Sequence, residues 1–404
     1  MRHRKETMTE YDVWLAGIDG IGNVTLRELW EKAGKRPDFA EELYRMRVEE
    51  LESYLRTSCN VTPLKTARIC EARKHAGSRG QSPEERLQDL GSKGIRYIWM
   101  GETDYPTRLL QIEDPPFGLY VKGRLPRQER AAVGIVGTRM ASPYGREQAR
   151  IFAAALAREG VQIISGMARG VDGVAGRGAL DTSDDSYAVL GGGVDICYPR
   201  ENKDLYEALI DRGGLLSEYR PGLSPQNTFF PARNRIISGL SDIILVVEAR
   251  EQSGTLITVD RALEQGKDVW ALPGRRTDRN SAGCNRLIRQ GAGIALSPDL
   301  ILEALGLREA DEAEQHSGSE YAQMTFDFEA LAGTESGVGR AILECLDYAE
   351  PRCLDDIASE VSRLACREVP FREFVKELTH LTLRGCVKEI RVGQYVTAAH
   401  CTDR

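Results

Sequence analysis

Histidine is scarce in this chain, and where it is missing matters more than how little there is. Five occur in 404 residues: His3, His75, His316, His380 and His400. None lies between residues 131 and 306, so histidine acid–base chemistry and histidine metal ligation are excluded from that stretch. Nine cysteines are scattered without a C-x-x-C pair, which predicts reduced thiols, not a disulfide frame or a zinc site. No Gly-x-x-x-x-Gly-Lys-Ser/Thr loop is present, which removes a Walker-type nucleotide site. No apolar run approaches spanning length, so no membrane contact is expected. The charged start, Met1 to Glu6, has no apolar stretch behind it and does not read as a signal peptide. Together these features predict a cytoplasmic protein.

With 41% hydrophobic and 28% charged residues the chain reads as globular, and its length predicts two or three domains. The net charge of −7 argues, taken whole, against a nucleic-acid binder. The charge is uneven, however. From Lys267 to Arg289 the basic residues Lys267, Arg275, Arg276, Arg279, Arg286 and Arg289 face only Asp268 and Asp278, whereas 309–335 is acidic. Screening over roughly 8–10 Å leaves room for a local positive site on an acidic protein.

Four regions follow from pattern. Residues 1–80 read as a domain of short helices, in which Trp14 to Gly22 gives an apolar helix end and then a glycine turn. That turn resembles a helix-hairpin-helix (or SAM-like) element, whose amides can meet a phosphate; close helix packing is the plainer alternative. Residues 81–306 read as an α/β domain. Its first part, 81–130, is a bridging segment with one strand at Leu119-Tyr120-Val121. Candidate strands at 133–137, 161–165, 187–191, 214–218, 242–248, 268–272 and 292–296 then alternate with helical patterns such as Tyr144 to Arg158 and Leu256 to Gln265. This alternation specifies an extended Rossmann-like, doubly wound, mostly parallel sheet. Residues 307–336 read as an acidic linker. Residues 337–404 read as helices with a terminal hairpin, the layout of a winged helix that would contact DNA or protein.

Ligands of open α/β sheets sit beyond the carboxyl ends of the strands. The residues that follow the candidate strands are Gly137-Thr138-Arg139, Gly166 to Gly170 with Arg169, Gly191-Gly192-Gly193, Tyr219-Arg220 and then Phe230 to Arg235, Ser253-Gly254-Thr255, and Pro273 to Arg276. Six such turns on one edge, several carrying arginine, predict an extended anionic ligand. Glycine admits backbone amides to phosphate oxygens, Thr138, Ser253 and Thr255 offer hydroxyls, and Arg139, Arg169, Arg233 and Arg235 offer forked donors. Phe230 is a candidate for base stacking. Singly, each has a plainer role: Arg139 in an ion pair, Phe230 in the core, Asn234 as a helix cap. Asp172 and Asp195 read as caps or loop braces, and Glu218 and Glu248 as strand-end acids available to a general base.

These motifs resemble the DprA (Smf) family of bacterial DNA-processing proteins over about residues 95–300. The matching runs are Asp104-Tyr105-Pro106, Gly134 to Arg139, Gly166 to Asp172, Tyr198 to Asn202, Phe230 to Ser241 and Ser253 to Leu256. The resemblance implies single-stranded DNA binding on the Rossmann domain, homodimers, loading of the RecA recombinase and a role in natural transformation, with no catalysis and no cofactor. The family's strand-binding arginine falls on Arg139, its Phe-Pro and Arg-Asn-Arg positions on Phe230, Arg233, Asn234 and Arg235, and a basic residue near its Tyr-Pro motif on Arg200 or Lys203; the turns add Gly137, Thr138, Gly166, Arg169, Gly170, Ser253, Gly254 and Thr255 as candidate DNA contacts, and Lys267 is a further candidate. The apolar pair Leu287-Ile288 is a candidate dimer surface. Two departures stand out. Ala175-Gly176 replaces a frequent Ala-His, and neutral Gln226 and Asn227 precede the Phe-Pro pair where basic residues are common.

Two other readings remain open at this stage. A nucleotide phosphoribohydrolase of the related lysine-decarboxylase-like group would use a Pro-Gly-Gly-x-Gly-Thr turn and a glutamate; here the comparable turn is Glu251 to Thr255, with Asp260 a loose substitute. A regulator would instead read DNA through the winged helix and sense a nucleotide on the α/β domain.

Overall fold

The computed structural model describes residues 8–76, 81–308, 337–346, 351–365, 367–384, 386–391 and 393–397. The expected linker, apart from 307–308, lies outside the described residues. The chain divides into two compact units, one carrying the large sheet up to Leu305 and one holding the C-terminal helices.

Among the described residues, six helices come first: α1 (Glu10–Ala16), α2 (Asn23–Lys32), α3 (Phe39–Arg45), α4 (Val48–Thr57), α5 (Pro63–His75) and α6 (Pro83–Ser92). Apolar residues at helical spacing set their inner faces: Leu51 and Leu55, one turn apart on α4, are fully buried. The start of α6 is written in sequence. Ser82 Oγ accepts the Glu85 amide at 3.2 Å, the Ser82 amide donates to the Glu85 carboxylate at 2.7 Å, and Pro83 opens the first turn.

The sheet has nine strands: β1 (Ile95–Trp99), β2 (Gly118–Gly123), β3 (Ala132–Val136), β4 (Gln162–Ser165), β5 (Ser186–Val189), β6 (Gly214–Ser217), β7 (Ile243–Val246), β8 (Asp268–Ala271) and β9 (Gly293–Ile294). Their order is β1-β2-β6-β5-β4-β3-β7-β8-β9. The seven strands from β6 to β9 run parallel, and β1 and β2 add antiparallel on the β6 side. The connecting helices are α7 (Pro143–Arg158), α8 (Val171–Leu180), α9 (Lys203–Arg212), α10 (Phe229–Leu240), α11 (Gly254–Glu264), α12 (Ala282–Arg289) and α13 (Pro298–Ala304).

The parallel strands read as unbroken apolar runs because both faces are covered. Period-two alternation sends successive side chains to different cores. Tyr97, Trp99, Ala188 and Leu215 join the core shared with the N-terminal helices, while Ile98, Tyr187, Val189 and Leu216 join the core beneath α10 and α11. Trp99 stacks on Phe117 at 5.5 Å, with Phe39 and Trp30 against its edges, so the first helices and the sheet edge share one apolar cluster. Each such large side chain contributes roughly 1.5–3 kcal/mol by leaving water.

The α/β expectation holds, with three corrections inside it. The bridging segment contributes α6 and a second strand, β1; the sheet therefore begins at Ile95. The strand at 292–296 shortens to two paired residues at the sheet edge. Leu287 is 7% exposed in the core under β8 and presents no free apolar face.

The second unit contains helices Gly337–Cys345, Leu354–Leu364 and Phe371–Leu383 and a three-stranded antiparallel sheet of β10 (Arg352–Cys353), β11 (Val387–Arg391) and β12 (Gln394–Thr397), with β12 central. Ile342, Ile357, Val361, Phe374 and Leu381 form its core. Six described cysteines are free thiols, but Cys386 is disulfide-bonded, which departs from the expectation of fully reduced cysteine.

Candidate nucleic-acid interface

The sheet changes direction of growth at β3: β4 pairs on one side and β7 on the other. Connections leaving two adjacent strands in opposite directions open a crevice beyond their carboxyl ends. Here it is a cleft of about 450 Å³. Gly137, Thr138 and Arg139 after β3, Phe230, Arg233 and Asn234 on α10, and Ser253, Gly254 and Thr255 at the start of α11 all line it.

Each wall has a local cause. The Thr138 amide donates to the Glu248 carbonyl at 2.8 Å and holds the loop after β3 against the end of β7. Ser253 caps α11, its Oγ accepting the Thr255 amide at 3.2 Å. The Leu256 amide donates to the Ser253 carbonyl at 3.0 Å, and the helix dipole adds positive potential at this end of α11. Gly170 has φ of 72°, and a Cβ there would meet the Thr138 carbonyl oxygen at 2.3 Å, so only glycine lets the two loops touch.

The floor is a buried polar cluster. Arg233 is 5% exposed; its Nη1 donates to the Gly166 carbonyl at 3.0 Å and also to the Val189 carbonyl, and its Nε donates to Asn234 Oδ1 at 3.0 Å. Burial pulls its pKa down to about 10, with the Asp172 charge opposing that shift. Asp172, buried, accepts the Gly166 amide at 3.0 Å; burial pushes its pKa up, against the pull of Arg233. A Cβ at Gly166 would strike the Arg233 guanidinium at 2.2 Å.

The rim is different. Arg139 is exposed, and its guanidinium lies 5.3 Å over the Phe230 ring. No carboxylate pairs with it among the described residues. Phe230 stacks on Tyr198, 5.7 Å away and 30° off parallel, and Tyr198 is 47% exposed. Arg169, Gly166, Tyr198 and Phe230 line a small adjoining hollow.

The sequence-derived residues therefore separate into groups. Gly137, Thr138, Arg139, Phe230, Arg233, Asn234, Ser253, Gly254 and Thr255 share one cleft. Gly166 and Arg169 adjoin it, and Gly170 braces it, although Arg169 is engaged by Glu201 at 3.0 Å. Arg200 and Lys203 are exposed on the neighbouring turn, Lys203 within 3.5 Å of Glu207. Three residues need correction. Arg233 is only partly an open fork: its Nη1 donates to two carbonyls and its Nε to Asn234, while Nη2 has no acceptor among the described residues and the residue lines the cleft. Arg235 points away from the cleft into a buried pair with Glu218, with Asp114 at 3.3 Å. Helical geometry explains this, because residues two apart on α10 face different sides. Lys267 precedes β8 and is half-buried, its pKa lowered by burial and supported by Asp242 at the start of β7. It sits at the amino ends of the strands, a full strand length of about 13 Å from the cleft.

Asn234 does not cap α10, which starts five residues earlier at Phe229. Asp172 and Asp195 brace loops as expected, Asp195 accepting the Gly222 amide at 2.8 Å. Two contributors were not picked out from sequence. Tyr198 was visible only as part of the Tyr-Pro motif, and its partner ring lies 32 residues on. Asn202 donates to the Met167 and Ala168 carbonyls, both at 3.1 Å, and fixes the turn after β4.

Fold and cleft together define an extended Rossmann-type α/β protein with an anion-accepting sheet edge and an aromatic platform beside it. The chain belongs to the DNA recombination-mediator protein A family, whose model matches residues 96–306. It is 44% identical over 216 residues to the protein Smf of Escherichia coli, covering 53% of this chain and 58% of that one. It is 40% identical over 229 residues to the protein Smf of Synechocystis, covering 56% of this chain and 58% of that one. The chain thus spans less than two thirds of the length of these relatives. Among solved structures, DNA processing protein A from Streptococcus pneumoniae superposes with a TM-score of 0.61 at 29% identity, covering 74% of this chain and 98% of that one.

Proposed function

We propose that this protein binds single-stranded DNA along the carboxyl edge of its parallel sheet and passes it to a RecA-type recombinase, without catalysing a reaction itself. Natural transformation, with the protein acting as a cytoplasmic homodimer, is the setting this reading favours. The observation that carries it is the pairing of an unclaimed Arg139 guanidinium with the Tyr198–Phe230 stack, whose Tyr198 ring is exposed and whose Phe230 ring is half-buried, at the mouth of the cleft. A guanidinium recruits phosphate, and an open ring accepts any base face, so this combination suits an unpaired strand. In a duplex the bases are already stacked and the rings would have nothing to take up. The amides at the start of α11 and the loops after β3 and β4 are the proposed phosphate contacts. The first helices are proposed as a helix-hairpin-helix or SAM-like module, and residues 337–404 as a winged helix contacting DNA or protein.

Labelled oligo-dT and a matched duplex, titrated by fluorescence anisotropy across a salt series, test this. The single strand is expected to bind more tightly, and Arg139→Ala to weaken it about tenfold while lowering the salt slope by about 0.7. Unchanged binding by Arg139→Ala at moderate salt would overturn the assignment.

A further inference from the structure

The cleft does not hold all the free positive charge near this sheet edge. Beyond β6, the turn after α1, helices α5 and α6 and the turn carrying Arg220 enclose a second groove of about 530 Å³. Arg220 is taken up by Asp19 across it. Arg68 and Arg86 are not: among the described residues neither guanidinium has a hydrogen-bond or ion-pair partner. Arg86 Nε is enclosed and unsatisfied. Leaving a charged donor enclosed without an acceptor costs free energy, so the Arg86 guanidinium, with the exposed Arg68 guanidinium beside it on the same groove, suits an anion between them.

The glycine turn supports this. At Gly20, φ is 76°, and an added Cβ would overlap the Arg68 guanidinium; at Gly17 it would meet Arg86 Nη1 at 2.4 Å. The turn is glycine where the arginines lie, and it leaves backbone exposed beside them. The acidic residues lining the groove, Asp19 and Glu71, offset part of the charge of Arg68, Arg86 and Arg220 and leave it net positive. Asp19 is engaged by Arg220, Glu71 stands on α5, and in the adjoining hollow Asp89 is paired with Lys93 at 2.7 Å.

A continuous wall joins the groove to the cleft. The loop after β5 packs Gly191 against the Phe230 ring, Gly192 against Pro225, and Gly193 against the Arg220 carbonyl; a Cβ at each would stand 2.8–2.9 Å from its neighbour. The three strand spacings from β3 to β6 make the separation at least about 14 Å.

We propose that this groove, through Arg68 and Arg86, is a second phosphate station for the strand held at the Arg139–Phe230 cleft. The proposal rests on the reading of that cleft as a single-stranded DNA site. A strand long enough to reach both stations gains contacts that a short one cannot make.

The test uses the full chain and oligo-dT of about 3 and about 20 nucleotides; the shorter spans about 7 Å at roughly 3.4 Å per phosphate and cannot bridge the two stations, and the two lengths bracket the usual footprint of a single-strand site. For the double variant Arg68→Gln/Arg86→Gln, binding of the short strand is expected to stay unchanged. The long strand should weaken about tenfold, with its salt slope lower by about 1.4, the value for two lost phosphate contacts. The Arg68→Lys/Arg86→Lys variant should restore the slope, which a folding defect would not allow. An unchanged affinity and slope for the long strand, or an equal loss at both lengths, overturns the proposal. So does loss of inorganic pyrophosphate binding in the double variant with long-strand binding intact, which assigns the groove to a free phosphate compound. A wild-type chain that binds neither length overturns the cleft reading and this one with it, before any variant is compared.

Discussion

Arg139 and Arg235 look equally basic in sequence and meet opposite fates in the fold. Arg139 sits on an exposed loop at a strand's carboxyl end with only an aromatic ring beneath it. Arg235 lies on the inner side of α10, its side chain 11% exposed, held by a Glu218 that is 9% exposed. One guanidinium is available to a ligand and the other is spent on joining α10 to the end of β6. Charge in a motif is therefore not charge at a surface. A run of arginines on a helix divides by the direction each residue faces, and only the rim members can raise affinity for an anion.

The largest effect that could break this contrast is on stability. Arg235→Ala leaves a buried carboxylate without its partner and is expected to cost about 3–5 kcal/mol in urea unfolding. Where the variant stays folded, its affinity for oligo-dT should match wild type. A variant that keeps full stability but loses DNA would place Arg235 on the ligand side and reverse the comparison. Next, Phe230→Ala should weaken single-strand binding by about 1–3 kcal/mol, with little change among base sequences. Equal affinity in anisotropy titrations would remove the stacking platform from the rim. The smallest effect is expected at Lys267, at the amino end of β8. Lys267→Ala should leave both affinity and salt slope within error, and a fall in the slope would show that a strand reaches the opposite edge of the sheet.

The fold was legible wherever one local rule governed the residues. Unbroken apolar runs such as Ile243 to Val246 marked the buried parallel strands, and the turns after them marked the ligand edge. β1 escaped notice because Arg96 interrupts Ile95-Arg96-Tyr97-Ile98-Trp99 and its pairing partner β2 begins only at Gly118, beyond the turns that follow Trp99. Ser82-Pro83-Glu84-Glu85 carried the start signal for α6 in plain form. The cleft's membership was legible because glycine turns follow each strand at the same end. Which arginine faces outward was not, because that depends on where the helix begins. Placing the start of α10 near Arg235, six residues beyond its real first residue, hides the difference between Arg233, Arg235 and the rim. Tyr198 meeting Phe230 is a tertiary contact that no spacing announces.

One consequence of the cleft floor concerns how the rim would respond to load. Phe230 and Arg233 are a single turn apart on α10, and Arg233 is latched to the carbonyls that end β4 and β5. The ring is thus anchored to the sheet itself, already in position before any strand arrives. A ligand settling there spends little on ordering its host, and tension along a held strand would pass through α10 into the rigid β-structure, not into a yielding loop.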